Sequence, residues 1–467
     1  MDYKIPESVQ KILNEQVLAF CAKFQKRGFQ IYTVGGSVRD LLMGRGVHDW
    51  DFTTDATPEE ILKLFPEGFY DNKFGTVGVK AGDVQIYEIT TMRKEGKYED
   101  FRHPEKVLWT NKIEEDLARR DFTINAIALR LVYTECNRSA QGEPPNFEIV
   151  DPYDGQEDIK NKLIRAVGDP DRRFKEDALR LIRAIRFVAQ LGFEIEEKTY
   201  LAIKKNTHLI SEVANERIRD ELFKLLGSDN PLLGIEKMRD TGILQIILPE
   251  VEKSFGVSQV GPKHARVYDI GSHLFLTLKE TPSKDPLVRL AALLHDIGKA
   301  DTLKVDETGN ATFYQHDVVG SRLALQIAKR FNLSRKQTDK LFRLVRWHLF
   351  TVDERQTDSA IRRFIKNVGR ENIEDMMAIR IGDRIGGGTQ RAVSWRMERF
   401  GGRIKQVLKK PFSISDLKIN GQDVMKILNI PPSPKVGHIL QKLFEEVLED
   451  ASKNNREYLL NEIKQLN

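Results

Sequence analysis

At 467 residues the chain exceeds the size at which a single hydrophobic core stops growing, so two to four domains are expected. Hydrophobic residues at 40% and charged residues at 31%, with no low-complexity tract, exclude large-scale disorder, and a net charge of only +5 favours a polyanionic partner too weakly to identify one. Cys21 and Cys136 are too few for a disulfide framework and lack metal-ligand spacing, so both are expected to be ordinary thiols in a reducing compartment, with the cytoplasm fitting best.

The opening MDYKIPESVQKILNEQVLAF carries acids and no long apolar run, so it reads as neither signal peptide nor membrane span, and no membrane attachment is expected. After an amphipathic stretch over 7–27, FQIYTVGG predicts a buried strand running into a Gly-rich turn, and SVRDLLMG predicts a helix. A strand, a tight turn and a helix make a phosphate site. Short strands follow at HDWDFTT, GTVGVKA and VQIYEITTMR, so residues 28 to about 150 read as one mixed α/β domain with a small sheet. From DPYDGQEDIKN onward, EDALRLIRAIRFVAQLGF, NERIRDELFKLL, PLLGIEKMRDTG and SHLFLTLKE place apolar residues at three- and four-residue spacing, which predicts a largely helical remainder. Turn-forming residues cluster at 227–231, 256–263 and 384–391 and mark candidate boundaries. The fold class expected is α+β.

Asp49 and Asp51 stand two apart, which on a strand puts both carboxylates on one face, where hard divalent cations bind through oxygen. Such a pair is ordinarily a solvated strand face. Here Gly35 and Gly36 lie upstream, and glycines let backbone N–H groups approach a triphosphate closely. Glu88 is the best-placed third acid for a two-metal site, although a plain surface acid fits it equally. Asp177, Arg180, Arg183 and Arg186 recur every three residues, predicting a ladder on one side of a helix. Cytosine and adenine both present an amino donor beside a ring-nitrogen acceptor, so one carboxylate plus one guanidinium satisfies either base. Farther on, His273, His295, Asp296, His316, His348 and Asp383 are spaced so that helices can bring them together, and imidazole with carboxylate suits a divalent transition metal.

VGGSVRD with HDWDF, RRDFTINAIA, DPYDG, EDALRLIRAIRF and NERIRDEL appear in the order of the motifs of the class II tRNA nucleotidyltransferases, and residues 28 to about 225 resemble that family, which includes CCA-adding enzymes and poly(A) polymerases. The resemblance implies a polymerase β-like head (1–150), a helical neck and body (151–260), an HD metal-binding domain (261–390) and a helical tRNA-binding tail (391–467). It implies addition of CCA to tRNA 3′ ends from CTP and ATP, with A-only addition or poly(A) synthesis as the alternative within the class. An HD phosphohydrolase with an inactive head is the alternative outside it. By the same resemblance Asp49 and Asp51 hold Mg²⁺, Gly36 and Arg39 meet the triphosphate, and Arg120, Asp121 and Asn125 surround phosphates and ribose. Asp177 and Arg180 pair with the incoming base, with Arg183 and Arg186 on phosphate. The polar segment RKEGKYEDFRHPEKVLW looks like the family's flexible loop that switches from C to A addition. His273, His295, Asp296 and Asp383 look like the core ligands of an HD site, with His316 and His348 as second-metal or phosphate-contacting positions. Lys418, Lys435 and His438 of the tail receive no site role.

Overall fold

The computed structural model describes residues 15–47, 49–70, 75–81, 85–95, 107–132, 146–259, 269–305, 307, 311–353, 355–389, 391–408 and 414–465. Cys136, residues 1–14 of the amphipathic start, positions 260–263 of one boundary turn and residues 96–106 of the switch-like loop lie outside them. The chain divides into two compact units, Met1–Ile247 and Leu248–Asn467.

The first unit opens with α1 (Glu15–Gln25), β1 (Ile31–Val34), α2 (Gly36–Leu42), β2 (Asp51–Thr54), α3 (Pro58–Leu64), β3 (Phe69–Tyr70), β4 (Thr76–Ala81) and β5 (Gln85–Thr91). A small antiparallel pair, β6 (Arg93–Glu95) and β7 (Val107–Trp109), precedes α4 (Ile113–Ala118), β8 (Ala128–Val132) and β9 (Asn146–Val150). Seven strands form a sheet in the order β3-β4-β5-β2-β1-β8-β9. The β2–β5 pairing is parallel and the others are antiparallel, so the sheet is mixed. On one side, Phe20 of α1 meets Phe52, Tyr87 and Phe65 at ring separations of 4.9, 4.9 and 5.0 Å. Burial of such rings contributes about 1.5–3 kcal/mol each and fixes which way β2 faces. Trp50 and Phe52 are buried, leaving Asp49 and Asp51 on the open side.

Behind the sheet come α5 (Gly155–Lys160), α6 (Pro170–Glu176), α7 (Leu179–Leu191), α8 (Glu197–Asn206), α9 (Asn215–Leu226) and α10 (Pro231–Asp240). Asp169 caps α6 by accepting from the Arg172 N–H, and Pro170 takes the first helical position, where no N–H is needed. α7 is buried on almost every side and packs on α9 and α10, then stops at Gly192, whose φ of 70° suits glycine.

The second unit is nearly all helix: α11 (Ile270–Glu280), α12 (Pro286–Leu294), α13 (His316–Arg330), α14 (Arg335–Arg346), α15 (Asp358–Val368), α16 (Ile373–Gly386), α17 (Trp395–Val407), α18 (Gly421–Leu428), α19 (Pro434–Glu449) and α20 (Arg456–Gln465). α11 packs along α16, and α13 along α14. Caps agree with the sequence: Asp269, Asp285, Ser334 and Ser394 accept from the first-turn amides of α11, α12, α14 and α17. Val424, Ile439, Leu443, Leu459 and Ile463 make a separate core joining α18, α19 and α20. Among the described residues no helix is long and apolar enough to cross a membrane.

Candidate active site and metal centre

In the first unit the site forms where β1 turns into α2. Gly35 has φ 76° and ψ −134°, a conformation open to glycine alone, and a Cβ there would come to 2.9 Å from Arg120 Nη1 and 3.7 Å from Asp51 Oδ2. The bare turn therefore brings backbone, carboxylate and guanidinium together. Asp49 lies in the bend just before β2, not on the strand, yet the alternation of exposed and buried residues keeps it on the side of Asp51. Parallel pairing of β2 with β5 sets Glu88 directly across from Asp51. All three carboxylates reach solvent. Surrounding protein still raises the Asp51 pKa by desolvation; Arg120 opposes this, and Glu88 and Asp49 add to it. Carboxylate oxygens on one face suit a hard divalent cation, although among the described residues only the His–Asp groups of the second unit bring three such ligand atoms within 4.8 Å of one another.

A polar relay runs from that turn to α7. Arg39 Nη1 donates to Asn125 Oδ1 (2.9 Å), Asn125 Nδ2 donates to Asp121 Oδ1 (3.3 Å), and Arg183 Nε donates to Asp121 Oδ2 (2.8 Å). Burial would raise the Asp121 pKa, but Arg183 prevails and holds it well below the usual carboxylate range. Arg186 pairs with Glu221 of α9 at 2.7 Å. Burial and the neighbouring Arg183 push the Arg186 guanidinium down to about 10, which leaves it charged at neutral pH. Arg39, Arg183 and Arg186 stand 5.3, 5.7 and 4.2 Å from the centre of the Phe187 ring, so three cations gather around one aromatic ring.

The expected one-helix ladder is interrupted. Asp177 sits in an extended conformation between α6 and α7, because its Oδ1 accepts from the Leu179 N–H at 3.1 Å and restarts the helix. Its Oδ2 accepts from Arg217 Nη2 of α9 at 2.9 Å. Arg180 donates to Glu176 (3.0 Å) and to the carbonyls of Arg173 and Arg119 (3.1 Å each). Among the described residues those bonds occupy three of the five guanidinium N–H groups. Arg217 and Glu221 had no assigned role in the sequence reading, although both lie within NERIRDEL. The available signal was the surplus of arginines on a buried helix, each of which needs a carboxylate.

In the second unit α11, α12, α13, α14 and α16 deliver one compact cluster. His273 Nε2 lies 3.3 Å from His295 Nε2, 3.5 Å from Asp296 and 3.3 Å from Asp383, and His295 is 3.3 Å from Asp296. On the other oxygen of Asp296, His316 and His348 stand at 3.2 and 3.3 Å. The result is two triads, His273/His295/Asp296 and Asp296/His316/His348, sharing Asp296. Backbone carbonyls of Ala292, Phe313 and Val345 lie 2.8, 2.8 and 2.7 Å from Nδ1 of His295, His316 and His348, aiming Nε2 inward. The buried Nε2 atoms of His316 and His348 have no hydrogen-bond partner among the described residues, which fits a role as metal ligands. Burial opposes protonation of His295, but Asp296 and Asp383 outweigh it and push it up to about 10. Lys299, which the sequence reading passed over, reaches Asp296 at 2.5 Å. His348, preceded by Trp347, completes the second triad.

Residues 31–165 match the family described as "Poly A polymerase head domain", 254–385 the "HD domain", and 326–463 the tRNA nucleotidyltransferase domain 2. The CCA-adding enzyme of Ligilactobacillus salivarius is 43% identical over 243 residues, covering 51% of this chain and 54% of that one. The CCA-adding enzyme of Geobacillus kaustophilus is 44% identical over 230 residues, covering 49% and 53%. The chain spans about half the length of the curated relatives it matches. The fold is that of the Bacillus stearothermophilus CCA-adding enzyme solved with CTP, at a TM-score of 0.69 and 24% identity over 97% of this chain and 98% of that one. Successive parts of the chain are therefore similar to a poly(A) polymerase head, an HD domain and a tRNA nucleotidyltransferase domain 2, in an order that places the HD domain behind the head.

Proposed function

We propose that this chain adds C, C and A to the 3′ end of tRNA from CTP and ATP. The observation that carries the reading is Asp51 paired across the sheet with Glu88, beside the bare Gly35 turn and Arg120. Asp49 and Asp51, with Glu88, would hold Mg²⁺; when bound, such ions lower the pKa of an attacking 3′-hydroxyl and neutralise the triphosphate. Gly36 and the Arg39–Asn125–Asp121–Arg183 relay orient the phosphates and ribose, and Arg186 adds positive charge nearby. Asp177 accepts from the exocyclic amine of cytosine or adenine, and the Arg180 guanidinium faces the ring nitrogen. Uracil and guanine would set their ring N–H against the Arg180 donors and their carbonyl oxygen against the Asp177 carboxylate, at a cost of about 1–3 kcal/mol per contact, roughly a tenfold to hundredfold preference. We propose the partition into head (1–150), neck and body (151–260), HD domain (261–390) and tRNA-binding tail (391–467).

A second activity, phosphate-ester hydrolysis at the His–Asp cluster, is favoured by the two triads sharing Asp296. His273, His295, Asp296 and Asp383 would hold a divalent transition metal, which when bound would activate water for hydrolysis at neutral pH. The test is to offer purified protein tRNA ending at the discriminator base, tRNA ending in CC, and a generic RNA, each with CTP, ATP or both. Complete CCA on the first substrate is expected. Extension of only the CC-ended tRNA would instead assign an A-adding enzyme, long A tails on generic RNA a poly(A) polymerase, and no addition at all a phosphohydrolase with an inactive head.

A further inference from the structure

A recess of about 310 Å³ in the second unit belongs to neither triad. Arg380 and Arg384 of α16 line it with Val352, and Ser394, Trp395 and Arg396 line it at the start of α17. Among the described residues no Asp or Glu lines it. Arg380 Nη1 donates to Asp383 Oδ2 at 3.0 Å, and Arg384 makes no ion pair among the described residues. Among the described residues the buried Nε atoms of Arg380 and Arg384 have no hydrogen-bond partner. The charge of Arg384, which has no ion pair among the described residues, is one that a bound anion would answer. The amides of the first turn of α17, a 13-residue helix, add partial positive charge from the same wall.

Two further features narrow the anion. The Trp395 ring is 56% exposed and carries Arg396 5.2 Å from its centre, an open aromatic platform with its cation already in place. The volume sits at the lower end of small-ligand pockets, roughly 300–1,000 Å³, and suits one nucleotide better than a duplex groove. The recess also abuts the metal centre: Arg380 holds one oxygen of Asp383 while the other lies 3.3 Å from His273.

We propose that Arg380, Arg384 and Arg396 bind the phosphate of a nucleotide whose base stacks on Trp395, beside the His–Asp cluster. The nucleotide is either free or the phosphorylated 3′-terminal residue of an RNA. What becomes of it rests on the hydrolytic reading of the cluster; its binding does not. The full chain is titrated with adenosine 3′-phosphorothioate, with a short single-stranded RNA ending in a 3′-phosphorothioate, and with adenosine, following the part of the tryptophan fluorescence that Trp395→Phe removes. Saturable quenching by the phosphorylated probes but not by adenosine is expected. Arg384→Gln should weaken it at least about tenfold, Arg384→Lys should largely keep it, and high salt should weaken it. Tighter response to the mononucleotide makes the ligand a free nucleotide, and tighter response to the oligonucleotide makes it an RNA end. Equal response to adenosine, no response in the unaltered chain, or unchanged affinity in Arg384→Gln overturns the proposal. Because the readout is binding, absence of hydrolysis at the cluster does not alter it.

Discussion

Asp121 stands between Asn125 and Arg183 and is almost fully buried, so its charge is useful only while Arg183 answers it. Removing one partner of a buried ion pair strands the other, at about 3 kcal/mol. Asp121→Asn should therefore lower stability by about that amount at pH 7, read from urea denaturation of the first unit. The folded-state pKa of Asp121 is depressed, so its contribution is full above the unfolded value near 4 and fades as pH falls through the folded one. The gap between the two proteins should accordingly shrink below about pH 4, and a gap that widened there would contradict this account. Sequence pattern alone singled out both Asp121 and Arg183, because their residue types and order carry the family resemblance. Their mutual neutralisation was not legible, nor were the pairings of Arg217 with Asp177 and Glu221 with Arg186, since those depend on how α9 settles against α7. Lys299 was in plain view three residues after Asp296, the spacing that puts two side chains on one helical face.

Elements were more legible than their ends. The 3.6-residue period found α7, α9, α10 and α11, and the alternation in HDWDF found β2, because burial drives both patterns. The period could not reveal that the helix breaks at Asp177, since that break comes from one side-chain hydrogen bond and not from any loss of apolar spacing. The turn after Asp296 makes a similar point about close approach. A Cβ on Gly298 would lie 2.1 Å from the His316 carbonyl oxygen and 2.5 Å from the Gly320 amide nitrogen, so α13 can bring His316 to Asp296 only because nothing projects there. Gly298→Ala should force the start of α13 outward, cost about 1–3 kcal/mol, and weaken metal binding at the cluster. Loss of the Mn²⁺-induced rise in melting temperature, with CCA addition intact, is the outcome expected; an unchanged rise would show that the helix tolerates the methyl.

At the scale of the molecule, the two units place different chemistry in separately folded cores, and they should respond separately to metals. A ligand that binds only the folded state stabilises it by about 2.7 kcal/mol at one hundred times its Kd. Transition-metal ions should raise the melting temperature of the second unit and Asp296→Ala should abolish that rise, while Asp51→Ala should abolish nucleotide addition and leave the rise in place. Without metal, His273 and His295 have raised pKa values, so the stability they give through Asp296 and Asp383 is complete below their unfolded pKa near 6.5 and is lost as pH rises, for His295 towards about 10. Metal competes with those protons, so its apparent affinity should increase over the same range, measured by calorimetric titration between pH 6.5 and 8.5. Affinity falling with pH would exclude these histidines as ligands.

Parallel pairing of β2 with β5 fixes Asp51 opposite Glu88, although 36 residues lie between them in the chain. The acidic face is thus specified by a register and not by a contour length. Insertions or deletions in the turns between these strands leave the carboxylates facing each other, whereas one residue added inside 51–54 or 85–91 would turn one member of the pair into the aromatic core. Length variation among homologous heads should therefore accumulate between the two strands and be absent within them.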